Sequence, residues 1–319
     1  MNPAPLRIGS RRSPMAMVQA GLVARALTAR TGREVDLIGI ESAGDRSREL
    51  LTQIGGTGVF VSSLRASLLA GEVDLAVHSL KDLPTGPADG IALAAVPVRD
   101  DPRDALVTRD GAKLADLPHR ATVGTGSPRR AAQLLLLRPD IQPVPVRGNA
   151  GTRLAKVESG DLDAVILGYA GLSRIDRLDA VAQVFEPDEM LPAAGQGALA
   201  VECSEAREGL VALLGSIDDP VSRAAVTAER SLLGALEAGC AAPVGAYAGG
   251  MDVLRLHGVV IAADGGMAIR GSASGPLAAA EQLGRQVAAD LLSRGAARCM
   301  AVSGLAGSSG HLTSGDEDK

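Results

Sequence analysis

Short apolar runs alternate along the first part of the chain with stretches whose apolar positions recur every three or four residues, the pattern of strands alternating with helices. Leu6 to Gly9 reads as a strand that runs into Ser13-Pro14, an N-cap followed by proline at the first helical position. A helix to about Arg30 follows, with Ala16, Ala20, Val23 and Leu27 on its inner face. Glu34 to Ile40 is a second strand, Gly55 to Gly58 a glycine loop, Val61 to Ala70 a helix, and Asp74 to Ser79 a third strand. The order then repeats: a strand at Ala121 to Gly124, a helix from Ser127-Pro128 through Leu137, a strand at Ile141 to Val146, and a helix at Gly151 to Ser159. The segment Gly160-Asp161-Leu162-Asp163-Ala164-Val165-Ile166 echoes Gly71-Glu72-Val73-Asp74-Leu75-Ala76-Val77. Any β-α-β chain looks partly self-similar, but the matched order predicts two related α/β lobes.

Arg99 to Pro102 reads as a first crossing between the lobes, and Leu191 to Gly197 as a second, with Ala198 to Glu202 returning as a strand. The expected boundaries are 1–99 plus 198–217 for lobe 1 and 100–197 for lobe 2. A double crossover makes a hinged cleft with sites at strand ends. From about residue 218 the character changes. A helix at Ser222 to Leu236, strands at Val244 to Ala248, Val253 to Ile261 and Met267 to Ser274, and a closing helix at Pro276 to Arg294 predict a small α+β domain over 218–302. Residues 303–319 are rich in Gly, Ser and acidic residues and read as a disordered tail.

Composition narrows the possible functions. With 32 basic and 37 acidic residues the net charge is -5, which argues against nucleic-acid binding through a broad basic face. No basic-then-apolar leader opens the chain and no apolar run reaches ~18 residues, so a cytoplasmic protein without membrane contact is expected. Cys203, Cys240 and Cys299 are too widely spaced to define a disulfide framework or a zinc site.

The arginines stand out because they fall at chain punctuation. Arg11 precedes Ser13-Pro14, Arg129 and Arg130 follow Ser127-Pro128, Arg147 precedes Gly148-Asn149, Arg153 follows Gly151-Thr152, and Arg174 follows Gly171-Leu172-Ser173. Guanidinium forks suit carboxylates and phosphates, and the helix N-termini at Ser13 and Ser127 suit an anion. Simple capping by the serines, with solvated arginines, is the competing reading at each position taken alone. Repetition in both halves favours a cleft for a multiply charged anion. Lys81-Asp82 follows a strand end directly, where a carboxylate could stabilise a developing cation or move a proton, or else form a plain surface pair. Cys240 lies in a Gly/Pro-punctuated loop and could serve as a nucleophile or covalent attachment point, or pack as an ordinary buried thiol. His78 ends an apolar strand and reads as a packed or hydrogen-bonded histidine with no metal partner.

Taken in order, these segments resemble the porphobilinogen deaminase (hydroxymethylbilane synthase) family. The resemblance runs from Arg7-Ile8-Gly9-Ser10-Arg11-Arg12-Ser13-Pro14 through Val77-His78-Ser79-Leu80-Lys81-Asp82-Leu83-Pro84 and Val123-Gly124-Thr125-Gly126-Ser127-Pro128-Arg129-Arg130. It continues through Arg147-Gly148-Asn149-Ala150-Gly151-Thr152-Arg153-Leu154 and Leu191-Pro192-Ala193-Ala194-Gly195-Gln196-Gly197 to the Cys240 loop. It implies an α/β fold of two periplasmic-binding-protein-like lobes joined by a double crossover, plus the small α+β C-terminal domain. It implies a monomeric transferase that joins four porphobilinogen molecules head to tail into the linear tetrapyrrole hydroxymethylbilane, releasing ammonia. The primer would be a dipyrromethane held by a thioether to Cys240, and the catalytic carboxylate Asp82. By motif position Lys81, Ser13, Ser127, Arg129 and Arg130 would hold the cofactor, and Arg11, Arg147, Arg153 and Arg174 the substrate. Thr57 stands where many members carry lysine, and Ala241-Ala242 where Gln-Val is frequent. The double crossover alone also fits a two-lobed anion-binding protein or an effector-binding domain without catalysis.

Overall fold

The computed structural model describes residues 4–41, 58–238 and 242–305, with side chains left aside at 58–60 and 301–305. The glycine loop at 55–57 and Cys240 therefore lie outside the described residues. In the first sheet, β1 (Leu6–Arg11) lies between β2 (Val35–Ile40) and β3 (Leu75–Ser79) and runs parallel to both. β10 (Leu199–Ser204) separates β3 from β4 (Ile91–Ala95) and is antiparallel to both. The second sheet repeats this plan. β6 (Thr122–Gly124) lies between β7 (Gln142–Val144) and β8 (Ala164–Gly168) in parallel, and β5 (Asp104–Thr108) separates β8 from β9 (Val181–Val184) in antiparallel pairing.

Each lobe is a sheet covered on both faces, so its central strands β3, β5, β8 and β10 read as short, mostly apolar runs. Helix α1 (Pro14–Thr31) buries Ala20, Val23 and Leu27 against Ile8, Leu75 and Val77, and α6 (Glu208–Leu214) adds Leu210 and Leu214 to the same core. On the other face α2 (Gly58–Leu69) buries Leu64 and Leu68 against Val73 and Ala76. In lobe 2, α3 (Pro128–Leu137) packs Leu134 against Leu106, Val123 and Ile166, while α4 (Ala150–Glu158) packs Leu154 and Val157 against Val107 and Val165. Both helices that open after a first strand start in the expected way, with Ser13 Oγ accepting from Ala16 N and Ser127 Oγ from Arg130 N.

In both sheets the antiparallel fourth strand is the one that arrives from the other lobe: β5 after the first crossing, β10 after the second. The two crossings touch. Gly197 sits at φ +86°, and a Cβ there would come within 2.5 Å of the Asp100 carbonyl oxygen. A side chain at residue 197 would push the crossings apart, which accounts for the last glycine of the Leu191–Gly197 segment.

The third sheet, β11 (Val244–Gly249), β12 (Val253–Ile261) and β13 (Ala268–Pro276), is an antiparallel meander. One face packs Leu254, Leu256 and Val260 on Leu232 of α7 (Pro220–Ala235) and Val287 of α8 (Ala280–Ser293). The other packs Val259 and Ile261 on Ala132 and Leu191 of lobe 2. The closing helix begins at Ala280 and not at Pro276, because β13 stays in register with β12 until Pro276 meets Val253. A last helix, α9 (Ala296–Leu305), runs past residue 302, where the tail was expected to start; residues 306–319 lie outside the described residues.

Glu229 of α7 ties the small domain to both crossings. Its carboxylate has no exposure and accepts from Arg99 (2.7 and 3.1 Å) on the first crossing, the Gly195 amide (2.7 Å) on the second, and the Ala248 amide (2.8 Å) of β11. Removing one member of such a buried pair strands a charge in low dielectric. Glu229→Ala is therefore expected to cost about 3–5 kcal/mol in denaturant unfolding; a loss well under 1 kcal/mol would contradict this account.

Candidate active site

Open α/β sheets bind ligands beyond the carboxyl ends of their parallel strands. Those ends point here into one cleft of about 580 Å³ between the lobes. Lobe 1 supplies Arg11 from the end of β1, Ser13 from the cap of α1, and His78, Ser79, Lys81 and Asp82 from the end of β3 and the turn after it. Lobe 2 supplies Arg130 of α3, Arg153 of α4, and Arg174, which follows the short α5 (Tyr169–Ser173). Five of the lining side chains are cations and one, Asp82, is a carboxylate. That imbalance fits a ligand with several negative charges.

Sequence alone could not separate the arginines by their partners. Asp104, fully buried at the start of β5, accepts from Arg129 Nη1 (2.7 Å), from Arg130 Nε and Nη2 (3.0 and 2.8 Å), and from Gln196 Nε2 (2.8 Å). Burial alone would raise the pKa of Asp104, but Arg129 and Arg130 outweigh it and hold the carboxyl far below the usual range. Arg129 also donates to the Leu191 carbonyl (2.6 Å). It is turned into the protein and does not line the cleft, unlike the cleft position expected for it. Ser127, used as a helix cap, and Arg147, exposed in its loop, also fall outside the lining. Arg174 reaches the cleft while pairing with Asp100 (2.8 Å) and donating to the Gly197 carbonyl (2.7 Å), so it doubles as a strap on the crossings.

Lys81 and Arg153 have no carboxylate within ion-pair distance among the described residues; Arg153 Nε donates only to the Gly148 carbonyl (3.0 Å). These two, together with the charged edge of Arg130, form the donor set that carboxylates from outside would complete. Lys81 keeps an opening to the cleft, yet enough protein surrounds it that desolvation, helped by Arg130, pulls its pKa down to about 8 against Asp82 and Asp104. Burial and Arg130 lower Arg153 as well, although a guanidinium stays charged throughout the physiological range.

The structure supplies partners that the chain alone did not assign. Gln19 of α1 is buried and donates to Ser79 Oγ (3.1 Å). Gln196 joins Asp104 and the Pro102 carbonyl (2.7 Å) across the crossings. His78 rests its Nε2 3.2 Å from Glu202 of β10, whose carboxylate also takes two bonds from Arg65 of α2. Burial would raise the Glu202 pKa, and His78 and Arg65 bring it down to about 2. The signal for this trio was a glutamate inside an apolar strand, a residue that requires a buried partner. Among the described residues there is no cluster of three His, Cys, Asp or Glu side chains able to hold a metal, and no helix long and apolar enough to cross a membrane.

The fold and cleft define a two-lobed α/β protein whose cleft gathers several cations around one carboxylate, Asp82. Models of the family match in two parts: "Porphobilinogen deaminase, dipyromethane cofactor binding domain" over residues 6–212, and the porphobilinogen deaminase C-terminal domain over 223–293. The porphobilinogen deaminase of Thermobifida fusca is 59% identical, covering 94% of this chain and 97% of that one, and porphobilinogen deaminase 1 of Streptomyces coelicolor is 54% identical, covering 92% and 97%. The periplasmic VFT2 domain of Bordetella pertussis BvgS matches at TM-score 0.38 and 19% identity, covering 66% of this chain and 86% of that one. The chain belongs to the porphobilinogen deaminase family, transferases of tetrapyrrole biosynthesis that polymerise porphobilinogen on a dipyrromethane cofactor. An enzyme, and not a non-catalytic binding domain, is therefore the reading that stands.

Lys81 titration should appear in binding. Below a pH of about 8 the ammonium is available to a carboxylate, and above it the charge is lost. Affinity for citrate, measured by calorimetry, is expected to fall as pH rises from about 7 to about 9, and Lys81→Met should flatten that fall. Stability moves the other way. The unfolded lysine keeps its proton up to about 10.5 while the folded one releases it near 8, so unfolding takes up a proton in that window and this group's contribution to stability grows with pH.

Proposed function

We propose that this cleft carries out the family reaction with Asp82 as its catalytic carboxylate and Cys240 as the attachment point of the primer. The observation that supports this reading is Asp82 standing, among the described residues, as the only carboxylate with five cations lining the cleft. Porphobilinogen carries an acetate, a propionate and an aminomethyl group. Arg11, Arg153 and Arg174, joined by Arg147 from its exposed loop, take the carboxylates of incoming substrate. When the carbon–nitrogen bond of the protonated aminomethyl group breaks, its electron pair leaves on nitrogen as ammonia and the positive charge passes to the pyrrole. The Asp82 carboxylate accepts the pyrrole N–H and faces that charge, a preorganised interaction that needs no rearrangement as the charge appears.

Lys81, Ser13 and Arg130 would hold the carboxylates of the cofactor, with Ser127 and Arg129 acting behind them through the cap and the Asp104 cluster. When bound, the dipyrromethane supplies the pyrrole carbon on which the chain grows. Arg130 is fixed by Asp104 before any ligand arrives, so little side-chain entropy is lost on binding. Lobes bounded at 99/100 and 197/198, pivoting on crossings clamped by Glu229, would open and close on the lengthening chain. The small domain over 218–302 would carry the primer into the cleft. On this reading the protein works as a cytoplasmic monomer.

Asp82→Asn is expected to leave the melting temperature nearly unchanged and to slow ammonia release from porphobilinogen on the order of a hundredfold or more; near-normal turnover would refute its role. Intact-mass measurement should find the protein heavier than its sequence by one dipyrromethane, and Cys240→Ala should remove the excess. Arg153→Ala should lower kcat/KM by about 10–100-fold, chiefly through KM, the loss typical of one charge-assisted contact.

A further inference from the structure

A second cavity, of about 550 Å³, lies away from the cleft, between the small domain's sheet and the segment that leads from lobe 2 into the second crossing. Its construction follows from strand parity. In β12 alternate residues Leu254, Leu256 and Val260 face the helices, so Arg255, His257, Val259 and Ile261 face the other way. In register with them on that face are Tyr247 of β11, opposite His257, and Arg270 of β13, opposite Val259. Lobe 2 covers only the Val259 and Ile261 end. Where that cover stops, His257 and Arg270 stand at the cavity with Tyr247 beside them.

Three features give this cavity a chemistry. Neither His257 nor the Arg270 guanidinium has an ion pair or side-chain hydrogen bond among the described residues. The strands of this sheet carry no acidic residue, and the one carboxylate in the lining, Asp188, comes from the opposite wall and pairs with neither. The floor is bare backbone. Gly258 and Gly271 face each other in register and both line the cavity; Cβ atoms on them would point to the helix side, toward Leu291. Leu191 and Pro187 supply an apolar wall. A flat floor, an apolar wall and two donors at one rim suit a planar ring bearing an anionic group.

We propose that this cavity is a second binding site, separate from the catalytic cleft, for a planar aromatic or heteroaromatic carboxylate. Arg270 and His257 hold the carboxylate and Tyr247 packs near the ring. The site adjoins the crossing directly. The Leu191 carbonyl takes Arg129 and Gln133, and the Pro192 carbonyl takes the Ala246 amide of β11. An occupant against Leu191 thus touches the segment on which the lobes turn. The inference does not depend on the roles assigned in the cleft.

The probe is 2-naphthoate, whose fluorescence can be followed directly because the chain has no tryptophan and only two tyrosines. Titration of the full-length holoenzyme should give a bound fraction that persists when the cleft is altered by Arg153→Ala. Arg270→Ser should weaken that fraction about tenfold or more, as loss of a charge-assisted contact does. His257→Ser should weaken it less, and Arg270→Lys should retain part of it. Binding should quench tyrosine emission in the wild type and not in Tyr247→Phe. Arg285→Ser, an exposed α8 arginine away from the cavity, controls for net charge. Binding that disappears with Arg153→Ala, or that falls equally with Arg285→Ser and Arg270→Ser, would overturn the proposal. So would an unchanged affinity in Arg270→Ser. The cleft reading would survive each of these results, because it is tested by ammonia release.

Discussion

Asp104 is the point on which the cleft depends. A carboxylate with no exposure must be compensated in full, and three side chains from two parts of the chain do so: Arg129 and Arg130 at the start of α3, and Gln196 on the second crossing. Because an unpaired charge there would cost several kcal/mol, their positions are set before any ligand arrives. One edge of Arg130 is used by Asp104, and the residue still reaches the cleft wall. Its charge in turn helps depress Lys81. A cleft-wall arginine and the second crossing thus share one buried anion.

Glu229 plays the matching part on the far side of the crossings. It collects Arg99, Gly195 and Ala248, so the small domain is fastened to both crossings and not to one lobe. Arg99 also lies over the Tyr247 ring, 5.8 Å from its centroid. Hinge segments normally carry few packed contacts. Here the contacts are ionic and buried. The cavity beside Leu191 exists because the small domain's sheet is longer than the part of it that lobe 2 covers.

Much of the fold was readable along the chain. The strand–helix–strand repeat, the caps at Ser13 and Ser127, both crossings and the β12–β13 hairpin all have local causes: apolar periodicity, proline at N1, glycine at positive φ. The strands Ile91–Ala95, Asp104–Thr108 and Val181–Val184 were not picked out. Each is a run of only four or five residues, too short for apolar periodicity to mark it, and each gains its identity from pairing with a distant strand. Asp104 opens the second of them, so the anion that organises the site lay hidden within a segment whose strand character was itself non-local.

By itself the sequence determined which residues carry charge at strand ends, where the helices capped by Ser13 and Ser127 begin, and, through the ordered motifs, the family and its chemistry. Those properties are local, or reside in residue identity. The tertiary structure alone decided how the arginines are divided. Arg129 and Arg130 are neighbours with identical chemistry, yet one faces inward to Asp104 and Leu191 and the other reaches the cleft. Among the described residues Lys81 and Arg153 lack carboxylates at ion-pair range, while Arg174 straps the crossings. The physical reason is that a guanidinium's role is set by which anion lies within about 3 Å of it, and that anion comes from a part of the chain far away in sequence.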